Sequence, residues 1–172
     1  MRLARDQSEL VLRASRADFV RMHDHPFLVG SPSLRKPAHA HLTAAIPLFD
    51  PATLDASPPV ESLLDADLPM VLPIRKLQSN FPSMITVGRT ANNDLTIPDV
   101  NVSKFHAWFR QGPAGVELVD AGSRNGTFVD DRRLPSSRGA GMAVIVGQVL
   151  RFGDLTFRYL DAATLWAAVQ AR

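Results

Sequence analysis

The alternation of apolar and polar positions predicts β-strands over most of the C-terminal half of the chain. Between residues 155 and 160, Leu155, Phe157 and Tyr159 alternate with Thr156 and Arg158, the two-residue period of a half-buried strand. Short apolar runs predict eight strands, over residues 71–77, 84–87, 95–97, 105–110, 116–120, 127–129, 149–152 and 155–160. Turn residues are expected to form hairpins at 112–115, 130–131 and 153–154. Many short strands at near-regular spacing indicate an all-β sandwich, here of about 10–11 strands.

Two short helices are predicted outside this strand-rich region. Ser15 and Asp18 form the pattern of a capping box, in which a hydroxyl caps a helix and a carboxylate follows three residues later. Asp161 is a suitable N-cap for the apolar stretch at the end of the chain. The two helices and one further strand are predicted over residues 16–23, 162–172 and 26–29.

A proline-rich, acidic stretch divides the chain unequally. Residues 37–74 contain no Lys or Arg and hold seven of the 13 prolines. Each proline fixes φ and removes a backbone donor, so regular structure there must be short. The part before it has too few apolar residues for a large core, and we expect it to pack against the strand-rich region. We predict a partly ordered N-terminal extension, a Pro-rich acidic linker, a β-sandwich domain and a C-terminal helix, over residues 1–49, 50–69, 70–161 and 162–172.

Composition narrows the class of protein. Hydrophobic residues make up 45% and charged residues 21% of the chain, the balance of a soluble globular protein. No run approaches the roughly 18 apolar residues of a membrane span, and no apolar signal-peptide core is present. Cysteine is absent, which fits a reducing cytoplasm and excludes thiolate sites. With 19 basic and 17 acidic residues, the net charge of +2 lacks the large positive excess that is typical of nucleic-acid-binding proteins. We therefore expect a cytoplasmic protein without membrane or nucleic-acid partners.

Three short segments gather hydrogen-bond donors at the ends of predicted strands. None of the three contains a carboxylate. An Arg binds two phosphate oxygens as a fork, a Ser donates its hydroxyl, and a Lys adds a point charge, so this inventory suits a phosphate monoester. An Asn both donates and accepts, and can bracket the main chain of an extended peptide. The candidate side chains are Arg89, Ser103, Lys104, Arg124 and Asn125.

In their order and spacing, these segments resemble the forkhead-associated (FHA) domains, modules that bind phosphothreonine peptides. The resemblance covers about residues 70–160, roughly half of the chain. One Gly-Arg or Asn-Gly-Thr motif alone would be weak evidence for this family, but the ordered set of motifs is specific for it. The matching motifs are Ile85-Thr86-Val87-Gly88-Arg89, Asn93-Asp94-Leu95, Val102-Ser103-Lys104-Phe105-His106-Ala107, Val119-Asp120 and Ser123-Arg124-Asn125-Gly126-Thr127-Phe128-Val129.

The resemblance assigns a role to each candidate. Arg89 clamps the phosphate, Ser103 donates to another of its oxygens, and Asn125 holds the peptide main chain. Lys104 stands where the family often has Arg or Asn, and Arg124 stands where a short hydroxylated residue can help bind. Both substitutions add positive charge near the phosphate. The residues implied as structural support are Gly88, His106, Gly126 and Thr127. The implied partners are phosphothreonine-containing proteins, expected to be substrates of a Ser/Thr kinase, and no cofactor is implied.

Catalysis is the first alternative to a binding module. Ser103 and His106, with Asp120 as an orienting acid, have the residue types of a hydrolase. The spacing Ser-x-x-His lacks a nucleophile elbow, and no loop for an oxyanion hole is apparent. We therefore predict that the protein is not an enzyme.

Two further alternatives concern the N-terminal extension. His23 and His25, like His39 and His41, form a His-x-His pair that would share one face of a strand, as metal ligands can. The strand character there is weak, and we predict no metal site. The second alternative is an FHA fold used as a phosphate-independent protein–protein assembly surface, with the extension as a second interface. Loss of Arg89 or Ser103 would favour it, and both residues are present.

Overall fold

A computed structural model describes residues 15–35, 70–78, 81–113, 115–136 and 139–171. The predicted linker, 50–69, lies outside these residues, and the division of the chain into domains stays a prediction. The described elements are α1 (Arg16–Met22), β1 (Phe27–Arg35), β2 (Met70–Pro73), β3 (Ile85–Gly88), β4 (Leu95–Thr96), β5 (Ala107–Gly112), β6 (Gly115–Asp120), β7 (Thr127–Val129), β8 (Arg132–Arg133), β9 (Gly141–Ala143), β10 (Val149–Phe152), β11 (Leu155–Leu160) and α2 (Ala162–Gln170).

The strands form two sheets that enclose one apolar core. The six-stranded sheet has the order β2-β1-β11-β10-β7-β8, and the five-stranded sheet has the order β4-β3-β5-β6-β9. Leu150 and Phe157 from the first sheet pack in one buried cluster with Val87, Phe109 and Leu118 from the second. Burying apolar side chains between two sheets is the main stabilising term of such a sandwich. The predicted β-sandwich is confirmed.

Strand β1 from the N-terminal extension is an internal strand of the larger sheet. It pairs with β2 on one side, where Leu28 faces Leu72, and with β11 on the other, where Leu28 faces Tyr159. Phe27, Leu28 and Val29 are fully buried. The strand extends beyond the predicted 26–29 because residues far away in the sequence pair with it, Gly30 with Met70 and Phe157, and Arg35 with Leu155. The described part of the extension, residues 15–35, thus packs against the sandwich by adding a strand to one of its sheets.

The helices α1 and α2 form a helical cap on the outside of the six-stranded sheet. Their capping matches the prediction: the Asp18 N–H donates to Ser15 Oγ at 3.2 Å, and the Thr164 N–H donates to Asp161 Oδ1 at 2.7 Å. Neither helix of the described part is long and apolar enough to cross a bilayer. The buried cluster under the cap consists of Phe19, Phe27, Val29, Leu160, Ala162, Leu165, Ala168 and Val169.

Local differences from the predicted elements have identifiable causes. The predicted strand 71–77 ends at Pro73, because the Leu77 N–H turns to donate to the Asp94 carboxylate. The strand predicted from residue 105 starts at Ala107, and the preceding residues belong to a loop. Strands β8 and β9 were not predicted, since two and three residues are too few to show a period.

Candidate functional site

Three loops meet at one end of the sandwich, which we call the loop end. They are residues 89–94, 97–106 and 121–126. The Arg89 N–H donates to the Ser103 carbonyl at 2.9 Å, and the Arg124 N–H donates to Ser103 Oγ at 3.1 Å. Asn125 Nδ2 donates to the Asn101 carbonyl at 2.8 Å. The central loop is therefore bonded to both its neighbours. The five predicted binding residues all lie on these loops.

Ser103 is held in place through its backbone and its side chain. Its carbonyl accepts from Arg89, and its N–H donates to His106 Nδ1 at 3.0 Å. Because Oγ accepts the Arg124 N–H, the hydroxyl proton remains able to donate to a bound group. This half-buried hydroxyl thus has a fixed position and one available donor.

The cations of the loop end are not neutralised. Among the described residues, the Arg89 side chain makes one hydrogen bond, a long one from Nη1 to the Val100 carbonyl at 3.5 Å. Lys104 and Arg124 are exposed. Within the described residues, none of the three has a carboxylate partner. Three cations without carboxylate partners among the described residues, on the loops that hold a positioned hydroxyl, form a site that favours an anion with several oxygens.

His106 links two of the loops from below. Its ring is fully buried, Nδ1 accepts the Ser103 N–H, and Nε2 lies 3.1 Å from the Gly126 carbonyl, to which it donates. Burial lowers the pKa of His106, against the opposing effects of the Gly126 hydrogen bond and the Asp120 charge. Since both ring nitrogens are occupied, neither can take a proton from Ser103. The arrangement is a scaffold contact and does not form a catalytic triad.

Asp120 supports the loop that carries Arg124 and Asn125. One carboxylate oxygen accepts the N–H groups of Gly122 and Ser123 at 2.9 and 3.0 Å. The other accepts the hydroxyls of Ser123 and Thr127, each at 2.5 Å. The carboxylate is buried at the end of β6. It fixes the turn that precedes Gly126, which gives the predicted support residue Thr127 a definite partner.

Asp94 is the support residue to which sequence reasoning assigned no role. Lys76 Nζ donates to it at 2.8 Å, as does the Thr86 N–H, and the Leu77 and Gln78 N–H groups donate at 2.7 and 2.6 Å. Burial raises the pKa of Asp94, but these hydrogen bonds outweigh it and hold the pKa well below its usual range. Asp94 lies within a recognised motif, yet its partners are separated from it by 8 to 18 residues.

Asn93 ties the Arg89 loop to the Ser103 loop. Its Nδ2 donates to the Lys104 carbonyl at 2.7 Å and to the Thr90 carbonyl at 2.8 Å. Gly88 lies against the same Lys104 carbonyl, and a Cβ there would overlap the oxygen. The close approach of the two loops therefore requires glycine at position 88.

Metal ligands are not gathered in the described part of the chain. His23 and His25 lie with ring centroids 5.4 Å apart, but no group of three or more potential ligands occurs among the described residues. His39 and His41 lie outside those residues. The described geometry thus offers binding through hydrogen bonds and charge.

The described structure is thus a β-sandwich that presents a hydroxyl, an amide and three cations on loops joined by hydrogen bonds. Residues 85–153 match the family model of the FHA domain. This part of the chain is a forkhead-associated domain, and the family membership predicted from its motifs is confirmed.

Curated proteins similar to this chain match part of it. The chain is 32% identical over 80 residues to an ABC transporter ATP-binding/permease protein of Mycobacterium tuberculosis, over 46% of this chain and 9% of that protein. It is 47% identical over 69 residues to the oxoglutarate dehydrogenase inhibitor of Corynebacterium efficiens, over 40% of this chain and 41% of that protein. The chain thus spans less than half the length of either curated relative.

Among solved structures, this chain is similar to the FHA-2 domain from a Mycobacterium tuberculosis ABC transporter. It is 29% identical to this chain, with a TM-score of 0.40, and the match covers 56% of this chain and 85% of that one.

Proposed function

We propose that the loop end binds phosphothreonine-containing peptides of proteins modified by a Ser/Thr kinase, and that it does so without catalysis. One observation carries this proposal: three cations without carboxylate partners among the described residues lie on the same hydrogen-bonded loops as a hydroxyl whose oxygen already accepts a hydrogen bond. A phosphate monoester supplies the negative charge and the acceptor oxygens that these groups lack.

Each side chain takes a role that its contacts allow. Arg89 binds phosphate oxygens, since its single long contact leaves most of its donors available. Ser103 donates its hydroxyl proton to another oxygen, and the exposed Lys104 and Arg124 add positive charge. Asn125 already donates Nδ2 to a backbone carbonyl, so its Oδ1 accepts a peptide N–H. Two or three charge-assisted bonds, less the cost of ordering the peptide, give an affinity of about micromolar.

The relatives support a regulatory role. Those matched include proteins named for inhibition of oxoglutarate dehydrogenase and for regulation of glycogen accumulation. A reversible interaction of about micromolar strength suits such a role, because the partner is released when the phosphate is removed.

Peptide binding by the full chain tests the proposal. Fluorescence anisotropy would be measured with a degenerate phosphothreonine library, its phosphoserine counterpart and the unphosphorylated library. We expect preferential binding of the phosphothreonine library, and an at least roughly ten-fold loss in Arg89→Ala or Ser103→Ala. Arg21→Ala, which removes an exposed arginine on α1, is the matched control and should bind as the parent does.

Equal binding of the phosphorylated and plain libraries, or full binding by Arg89→Ala, would overturn the proposal. If a protein partner bound regardless of phosphorylation and of Arg89, the phosphate-independent assembly surface would be the better description. Circular dichroism of each variant would show whether the fold is retained.

A further inference from the structure

A row of cationic and aromatic side chains crosses the outer face of the six-stranded sheet. Phe128 on β7 pairs in register with Arg151 on β10 and with Arg133 on β8. The guanidinium carbons of Arg151 and Arg133 lie 3.5 and 5.9 Å from the centre of the Phe128 ring. The ring therefore lies in the sheet between two arginines and contacts both through cation–π interactions.

The two arginines differ in the negative charge beside them. Arg151 has two carboxylates nearby, Asp131, with Nη2 and Oδ1 4.0 Å apart, and Asp154, and it also donates to the Gly153 carbonyl. Arg133 is exposed and has no carboxylate partner among the described residues. Because Arg151 is largely buried while Arg133 faces solvent, Arg133 is the member of the row that a ligand can reach.

Arg133 lies directly beside the loop end. A Cβ placed on Gly126 would come within 2.9 Å of Arg133 Nε and 3.0 Å of the Phe128 ring. The Arg133 side chain thus passes over the backbone of Gly126, the residue after Asn125. Its planar guanidinium, supported by an aromatic ring, suits a carboxylate or phosphate better than a flexible ammonium would.

We propose that Arg133 binds a second anionic side chain of the peptide that Asn125 holds. The domain would then prefer phosphothreonine peptides that carry an aspartate, a glutamate or a second phosphorylated residue close to the phosphothreonine. This inference rests on the proposed function, since the peptide must first be bound at the loop end. It extends the recognised surface from the three loops to strand β8.

An acid scan of a phosphothreonine peptide tests the inference with the full chain. The parent peptide has alanine at the four positions on each side of the phosphothreonine. Single glutamate and single phosphoserine substitutions are then placed at each of these positions. We expect at least one position at which the acidic residue tightens binding by about five-fold, less at high salt. A larger gain with phosphoserine than with glutamate would identify phosphate as the preferred second anion.

Variants at neighbouring positions assign the gain to one residue. Arg133→Gln should abolish it without changing the affinity for the parent peptide, and Arg133→Lys should retain part of it. Arg132→Gln is the matched control, because it removes the same charge one residue away on the opposite face of β8. It should retain the gain.

The outcomes separate the two proposals. If the parent phosphopeptide binds but no acidic position improves binding, or if Arg133→Gln retains the improvement, this inference is wrong and the proposed function stands. If the parent phosphopeptide does not bind at all, the proposed function fails and the inference fails with it.

Discussion

The loop end and the helical cap are held together by different kinds of contact. Beneath the loops lie three buried polar side chains, Asp94, His106 and Asp120, and each accepts at least one backbone N–H. Beneath the helices lies an apolar cluster that includes Phe27 and Leu165. One region is thus fixed by directional hydrogen bonds and the other by close packing.

The two kinds of contact contribute differently to the stability of the fold and to the positioning of the loops. A satisfied buried hydrogen bond contributes only about 1 kcal/mol net, but it fixes the distance and direction of the groups it joins. Apolar burial contributes more per side chain and tolerates small displacements. We therefore expect the cap to determine how stable the protein is, and the polar supports to determine how well the loops are placed for binding.

The largest effect on stability is expected from a substitution in the helical cap. Phe27→Ala removes a fully buried ring that contacts Phe19 and should lower the free energy of unfolding by about 3–5 kcal/mol. Phe27→Leu is a milder variant for use if the alanine protein does not fold. Urea denaturation gives the stability, and anisotropy gives the affinity for a phosphothreonine peptide. Affinity should change less than about two-fold; a large loss in a folded Phe27 variant would mean that the two regions are coupled.

A smaller effect on stability is expected at Asp94. Asp94→Asn removes a charge that accepts from Lys76 and from the backbone N–H groups of Leu77, Gln78 and Thr86, so it should cost about 3 kcal/mol. The Arg89 loop should lose order, and peptide affinity should fall. Asp18→Asn on α1, where the pair with Arg21 is exposed, is the control and should cost under about 1 kcal/mol.

The same variant has a defined pH dependence. The pKa of Asp94 is held below its ordinary value of 3.8 in the folded protein, so the unfolded chain takes up the proton first as the pH falls. The stability from this group is therefore complete above about pH 4 and is lost below it. Urea midpoints between about pH 3 and 6 should decline less steeply in Asp94→Asn than in the parent. Equal slopes would show that Asp94 does not control acid unfolding.

The strands were predictable where the apolar pattern is local. Strands β7, β10 and β11 have the bounds that the sequence predicts, because alternation within each segment marks its buried face. Strands β8 and β9 were missed because two and three residues are too few to show a period. The length of β1 was underestimated because its far end pairs with a strand distant in the sequence, Arg35 with Leu155.

The candidate site was predictable as a set of residues, but its supports were not. The motifs place Arg89, Ser103 and Asn125 on loops, and the structure brings those loops together. The part played by Asp94 depends on the backbone at residues 77 and 78, a contact created only by the folded chain. Arg133 is outside every motif and approaches the site through strand pairing.

Gly126 lies at the boundary of the candidate binding site. Gly126 has φ of +86°, and a Cβ there would press on Arg133 and Phe128. Gly126→Ala should cost about 1–2 kcal/mol from the left-handed backbone alone. Gly147→Ala, with φ of +94° and open space around it, shares that strain without the contact. Both should lower the urea midpoint, but only Gly126→Ala should weaken peptide binding; equal affinities would contradict the proximity of Gly126 to the bound peptide.

The smallest effect is expected from the protonation of two histidines, His106 at the loop end and His23 in the helical cap. Burial lowers the pKa of His106 and, with smaller effects from His25 and Arg75, that of His23. The unfolded chain therefore binds protons first below about pH 6.5, and stability falls from there as the solution is acidified. Only at His106 does protonation also place a second donor against the Ser103 N–H, because Nδ1 is its acceptor. Protonation of His106 should thus weaken peptide binding, whereas protonation of His23 should leave peptide binding unaffected.

Paired variants measure this difference. His23→Gln should reduce the acid loss of stability and keep the pH dependence of peptide affinity, whereas His106→Gln should alter both. The phosphate of the peptide itself titrates near about pH 6, so each variant is compared with the parent on the same peptide. Histidine ring shifts followed by NMR between about pH 4.5 and 8 give the two pKa values directly. A His106 ring that titrates above its ordinary value of 6.5, or a His23 variant that loses the pH dependence of binding, would remove the distinction between a polar-supported loop end and an apolar-supported cap.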